Sequence, residues 1–149
     1  MDSAQQLCTF FLEGNLFGVP VPQVQEVIRF QQMTHVPLAP NVIQGMINLR
    51  GQIVIAIDLR CRLSLPDRTE APMNVVVRTV EGAVSLLVDE IGDVIEVDPS
   101  TFEEPPETVS QGVRGMILGV HKLDGKLLHV LDTEKACQVP PAAEAAAAR

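Results

Sequence analysis

The side chains through which this 149-residue chain could do chemistry are few: three histidines, three cysteines and scattered acids. His121 and His129 lie on the two arms of a hairpin turned at Asp124-Gly125, so a shared metal is the first chemistry to test. Asp-Gly tolerates the positive φ angles of a two-residue type I′ turn. Such a turn pairs Leu123 with Lys126 and His121 with Leu128, which sends His129 to the opposite face. The two read as separate wall histidines, and His35, beside Val36-Pro37, as structural or interfacial. Cys8, Cys61 and Cys137 are odd in number, far apart and without a C-x-x-C pair, as expected of reduced thiols. Nucleophilic catalysis lacks both a G-x-S-x-G elbow and a cysteine with a neighbouring histidine. Neither the 45–51 nor the 112–115 glycines carry a G-K-[ST] phosphate loop. Asp89 and Asp93 lack the D-x-D-x-D-G spacing of a calcium loop. Asp58 and Asp132 each follow an apolar run and suit helix caps better than acid–base catalysis. No catalytic residue, metal or cofactor is expected.

Charge narrows the partners. The net charge is −8, and between Arg78 and Arg114 there are nine acids and no base. A surface this acidic repels phosphate backbones, and the absence of Trp and Tyr removes most stacking platforms, so nucleic-acid binding is set aside. The stretch reads as a solvated face, or as a surface that steers a basic partner. The start has no basic residue followed by an apolar run, and no stretch approaches the ~20 apolar residues of a membrane span. A cytoplasmic location without membrane insertion is expected.

The elements that must position any site are mostly strands. Val, Ile and Leu runs alternate with Gly, Pro and Asp, giving expected strands at 7–12, 16–19, 53–59, 73–80, 83–88, 91–97, 113–123 and 126–131. Glu13-Gly14-Asn15 and Glu81-Gly82 read as turns. Val21, Val24 and Ile28 fall at helical spacing, with Pro22 near the start, and place Glu26 at the end of a polar helical face. Asn41 is a cap candidate for a turn running to Ile47, and Asp132 for one running to Cys137. Residues 138–149, rich in Pro and Ala, read as a flexible tail.

An internal repeat organises these pieces. At an offset of 74, Gly45, Leu49, Gly51, Ile53, Val54, Ile57 and Asp58 match Gly119, Leu123, Gly125, Leu127, Leu128, Leu131 and Asp132. Leu12-Glu13-Gly14 echoes Val80-Glu81-Gly82, and the 24–28 segment echoes 91–95. Two similar β-units follow, each too small to bury much alone and each stabilised by packing on the other. The expected fold is all-β with short helices, and small closed barrels fit best because closure removes exposed edges.

Several blocks together resemble the CheW coupling proteins of bacterial chemotaxis arrays. They are Leu16-Phe17-Gly18-Val19, Val24-Gln25-Glu26-Val27-Ile28, Gln44-Gly45-Met46-Ile47-Asn48-Leu49-Arg50-Gly51 with Val54-x-x-Ile57-Asp58-Leu59, and Leu87-Val88-Asp89-x-Ile91-x-Asp93-Val94. The resemblance runs from Leu7 to Cys137. It implies one CheW-like domain over 7–137, made of two five-stranded SH3-like barrels at about 7–70 and 73–137, with strands free to be exchanged between them. It also implies a non-enzymatic adaptor joining the cytoplasmic tip of a chemoreceptor to the regulatory domain of a CheA-type histidine kinase. An apolar groove near the barrel junction would take the receptor, and barrel ends the kinase. Val24, Gly45, Val75, Val76 and Ile91 suit aliphatic floors and close approach. Glu26 and Arg50 match family positions, and a bidentate pair between them would set the loop carrying Asn48 and Gly51. Three departures stand out: Pro20, Ala56, and Ser85 in place of a common glycine, whose hydroxymethyl group would obstruct a receptor groove. The competing reading is a double barrel that holds a small apolar ligand at the junction of its units.

Overall fold

The computed structural model describes residues 4–29, 31–66 and 71–138. Short runs of apolar residues broken by turn formers produce a chain of strands: β1 (Gln5–Leu12), β2 (Asn15–Pro20), β3 (Val24–Ile28), β4 (Ile43–Leu49), β5 (Gln52–Asp58), β6 (Met73–Thr79), β7 (Gly82–Val88), β8 (Glu90–Val97), β9 (Phe102–Glu103), β10 (Ile117–Leu123) and β11 (Lys126–Leu131). Three single-turn helices intervene: α1 (Leu59–Arg62), α2 (Gln111–Arg114) and α3 (Thr133–Ala136). Asp58 and Asp132 cap α1 and α3 as their positions suggested, accepting from the backbone N–H groups of Arg60 at 3.0 Å and Lys135 at 3.1 Å. The part of the tail from residue 139 onward lies outside the described residues.

Three local expectations give way. Residues 24–28 form a strand, not a helix: Val24, Val27 and Ile28 are β-branched, and β6 offers them a ladder in which Val27 pairs with Val75. Only Val21–Gln23 turns helically, with Pro22 inside that 3₁₀ turn. Residues 43–49 likewise pair with β5 instead of continuing from an Asn41 cap. Val113 belongs to α2, whose Ser110 cap faces its N–H, so the last hairpin begins at Ile117. Turn chemistry is also redistributed. Leu123 does pair with Lys126, but only Gly125 of that turn has positive φ (79°). Glu13 and Gly14 (49° and 78°), and Arg50 and Gly51 (51° and 89°), carry the paired positive angles of type I′.

The strands form a six-stranded sheet, ordered β8-β1-β2-β11-β10-β9, and a five-stranded sheet, ordered β3-β6-β7-β5-β4. The outer strands stay unjoined, so these are curled sheets, not closed barrels, and one has six strands where five were expected. Each sheet takes its β1–β2 or β6–β7 hairpin from the other half of the sequence, inserted through a parallel ladder. In those ladders Ile55 pairs with Val84 and His129 with Phe17. The hairpins are therefore equivalent at an offset of 67, one residue from the alignment that Glu13-Gly14 and Glu81-Gly82 suggest.

Burial explains why the sheets need each other. Among the described residues, the core between the sheets holds sixteen buried hydrophobic residues, including Phe10, Phe17, Ile57, Leu86 and Leu131. The inner faces of the two sheets hold only five and four. At roughly 1.5–3 kcal/mol per buried aliphatic side chain, the shared core dominates. A mostly buried ion pair staples the exchange point: Arg60 Nε donates to Asp89 at 2.9 and 3.1 Å and Nη2 at 2.5 Å, while Glu13 N–H donates to Asp89 Oδ2 at 2.8 Å. The hydrogen bonds that Arg60 donates to Asp89 raise the Arg60 pKa above its usual range.

Candidate functional site

Arg50 sits at the tip of the β4–β5 turn in a left-handed conformation that only a tight turn demands. The turn is held from within by Asn48 Oδ1, which accepts from Gly51 N–H at 2.8 Å. It is held from outside by Glu26 on β3: Arg50 Nη1 donates to Glu26 Oε2 at 2.7 Å and Nη2 to Oε1 at 2.5 Å. This bidentate clasp joins strands that share no ladder, β3 and β4, across the open side of the five-stranded sheet. The arginine side chain remains 68% exposed, so the clasp leaves charge at the surface and adds little to stability.

Beside it the five-stranded sheet shows an aliphatic surface. On β5 the odd-numbered side chains share a face: Ile57 is buried between the sheets, whereas Ile55 (39%) and Ile53 (60%) run out into the open. Leu38 (70%) and Val80 (88%) extend the same apolar character. Ile53, Ile55 and Val80 line a groove of about 880 Å³ whose far wall is α3, with Glu134 and Lys135. Isolated exposed aliphatics are ordinary, but three around one concavity make it a candidate interaction surface.

The other predicted positions divide by depth. Val24 and Ile91 are half-buried and pack against the core between the sheets. Asn48, Arg50 and Gly51 are exposed. Val75 and Val76 are 1% and 0% exposed, alternating between the shared core and the inner face, so they support a surface without forming one. Gly45 is buried as well. A Cβ there would come within 2.8 Å of the Thr34 carbonyl, and its counterpart Gly119 is crowded in the same way by Phe102 and Glu103. Its glycine serves a crossing segment of its own chain. Ser85 obstructs no groove either: it is fully buried, and its hydroxyl donates to Asn74 Oδ1 at 2.8 Å, while Asn74 Nδ2 donates to the Arg29 carbonyl.

The histidines are wall residues on opposite faces, since His121 pairs with Leu128 and His129 with Val120. His121 is 1% exposed, with Nδ1 2.8 Å from Thr101 Oγ1. Burial lowers its pKa, opposed in part by the charge of Asp98. Burial also pushes the Cys137 thiol up to about 12. Sequence reasoning missed the Ile53–Ile55 groove, because an unbroken apolar run from 53 to 57 reads as a strand buried on both faces. It also missed the Arg60–Asp89 staple, which joins segments 29 residues apart and has no local signal.

Comparison with known proteins converges. The CheW-like domain family model matches residues 6–139. The chemotaxis protein CheW of Bacillus subtilis (strain 168) is 33% identical over 132 residues, covering 87% of this chain and 85% of its own length. CheW of Treponema pallidum (strain Nichols) is 29% identical over 140 residues, covering 90% and 82%. The crystal structure of the scaffolding protein TtCheW from Thermoanaerobacter tengcongensis superposes with a TM-score of 0.82 at 28% identity, covering 92% of this chain and 94% of that one.

Proposed function

Because the chain belongs to the CheW-like domain family, and is a scaffold rather than an enzyme, we propose that it couples chemoreceptors to a CheA-type histidine kinase in the cytoplasm. The observation that carries this reading is the open aliphatic groove of Ile53, Ile55 and Val80. Its size and apolar floor suit an edge of the kinase regulatory domain, where a few buried aliphatic anchors dominate affinity. The receptor tip, a helical hairpin, is assigned to the β3 side, where Val24 and the exposed Val27 flank the Glu26–Arg50 clasp, with Ile91 and Asn48 to Gly51 nearby in the candidate set. Gly45, Val75 and Val76 lie beneath these surfaces and hold their shape.

Titration of the full chain with the isolated kinase regulatory domain, and separately with a soluble receptor-tip fragment, tests the assignment. The double variant Ile53→Asp/Ile55→Asp is expected to weaken kinase binding by about 100-fold, as the loss of two interface anchors, with receptor binding kept. Binding of the folded protein to neither partner overturns the coupling function. Loss of both in the double variant overturns the division of surfaces.

A further inference from the structure

The six-stranded sheet carries the counterpart of the aliphatic groove, and it is chemically different. Leu127 and His129 on β11 take the places of Ile53 and Ile55, and Leu16 and Phe17 on β2 those of Ala83 and Val84. The cavity is about 540 Å³, within the range of roughly 300–1,000 Å³ typical of small-molecule sites. Its walls include Phe11, Leu65, Val109 and Val113, and among the described residues its charged lining is Glu13 and Lys126.

Among the polar residues of those walls, which also include Asn15, Thr108 and Ser110, His129 alone is buried. It is 8% exposed and stacks on Phe17 with ring centroids 4.9 Å apart. Its Nδ1 lies 2.8 Å from the Leu16 carbonyl oxygen, which can only accept, so Nδ1 carries the proton and donates. In the neutral ring Nε2 is therefore an acceptor, and it has no hydrogen-bond partner among the described residues. A buried side chain with one nitrogen fixed and the other open to an apolar cavity is the polar orienting group that ligand pockets use.

We propose that this groove binds a small molecule of the phenol class, an apolar ring with one hydroxyl that donates to His129 Nε2. The ring would lie against Leu127 and Val109, which are partly buried in the cavity wall, and the hydroxyl would satisfy the open acceptor. This site is separate from kinase and receptor coupling, and neither reading depends on the other. The equivalent groove has the apolar Ile55 at this position, and its carboxylates are those of Glu81, Asp132 and Glu134.

The test is titration of the full chain, isotopically labelled, with p-cresol and with toluene at pH 8, following the His129 ring and the Ile55 methyl resonances. The expected result is saturable shifts at His129, with p-cresol binding at least about tenfold more tightly than toluene, because a site that hydrogen-bonds a hydroxyl disfavours the analogue lacking it. His129→Leu is expected to remove that preference. Equal binding of the two probes at His129, no saturable shift there, or a preference surviving in His129→Leu overturns the proposal. The wild-type comparison alone decides the matter if the variant does not fold.

Discussion

Ile47, Ile53 and Ile55 of the five-stranded sheet stand where His121, Leu127 and His129 stand in the six-stranded one, 74 residues later. The backbone plan is shared, down to the register shifts after Ile43 and after Ile117. The side chains are not. The first sheet buries an isoleucine inside and leaves two outside; the second places a histidine on each face and buries both. The staple is equally one-sided: Arg60 holds Asp89 closely, whereas its counterpart Glu134 reaches only the Val80 N–H at 3.2 Å. A duplicated architecture thus carries different side chains at equivalent places, and the first half holds both the exposed isoleucines and the arginine of the staple.

The comparison can be broken at several points. Cys137 stands where the other half has Leu63, and a thiol pKa near 12 against the usual 9.0 means about a thousandfold less thiolate. Native-state alkylation of Cys137 at pH 8 should be slower than in the unfolded chain by about that factor. Rapid labelling would show that α3 does not shield it as the fold implies.

Asp89→Ala is expected to cost about 2 kcal/mol in urea unfolding, because it removes the charged acceptor of the Arg60 Nε and Nη2 hydrogen bonds at a largely buried position. Glu134→Ala at the matching position is expected to cost under about 1 kcal/mol, as for other exposed polar contacts. Equal costs would erase the asymmetry.

Arg50→Glu reverses the exposed clasp, and the expectation is about tenfold weaker binding of the receptor tip with the melting temperature nearly unchanged, as the pair itself is worth no more than about 1 kcal/mol. Unchanged receptor binding would leave the clasp as a turn lock alone.

His121→Ile gives the second sheet the residue of the first. Folding lowers the His121 pKa, so the unfolded state binds the proton more readily. That costs nothing above the unfolded value of about 6.5, and native stability is lost as pH falls below it toward the folded value. Unfolding midpoints between pH 7.5 and 5.5 should fall for the natural chain and flatten in the variant. Parallel slopes would mean that the acid sensitivity lies elsewhere.

Much of this architecture was legible in local pattern. The 74-residue repeat, the hairpins at Gly14, Gly82 and Gly125, and the capping roles of Asp58 and Asp132 follow from turn and cap chemistry acting over a few residues. The opposite faces of His121 and His129 follow from a two-residue turn and a strand period of two. The 24–28 segment was misread because Val21, Val24 and Ile28 match a helical spacing, and only the β6 ladder tips such a short run toward extension. Val75 and Val76 looked available because an apolar run does not say which of its faces is covered.

The sequence by itself determined the family, the repeat, the predominance of strands and the pairing of Glu26 with Arg50 as a candidate. Those rest on residue types at short or fixed spacing. Only the tertiary structure decided that each half lends its hairpin to the other's sheet, that Gly45 and Ser85 serve the interior, and that Ile53 and Ile55 remain outside while His129 is enclosed. Strand periodicity assigns a side chain to a face, but what covers that face comes from segments far away in the chain. Burial is settled where those segments meet.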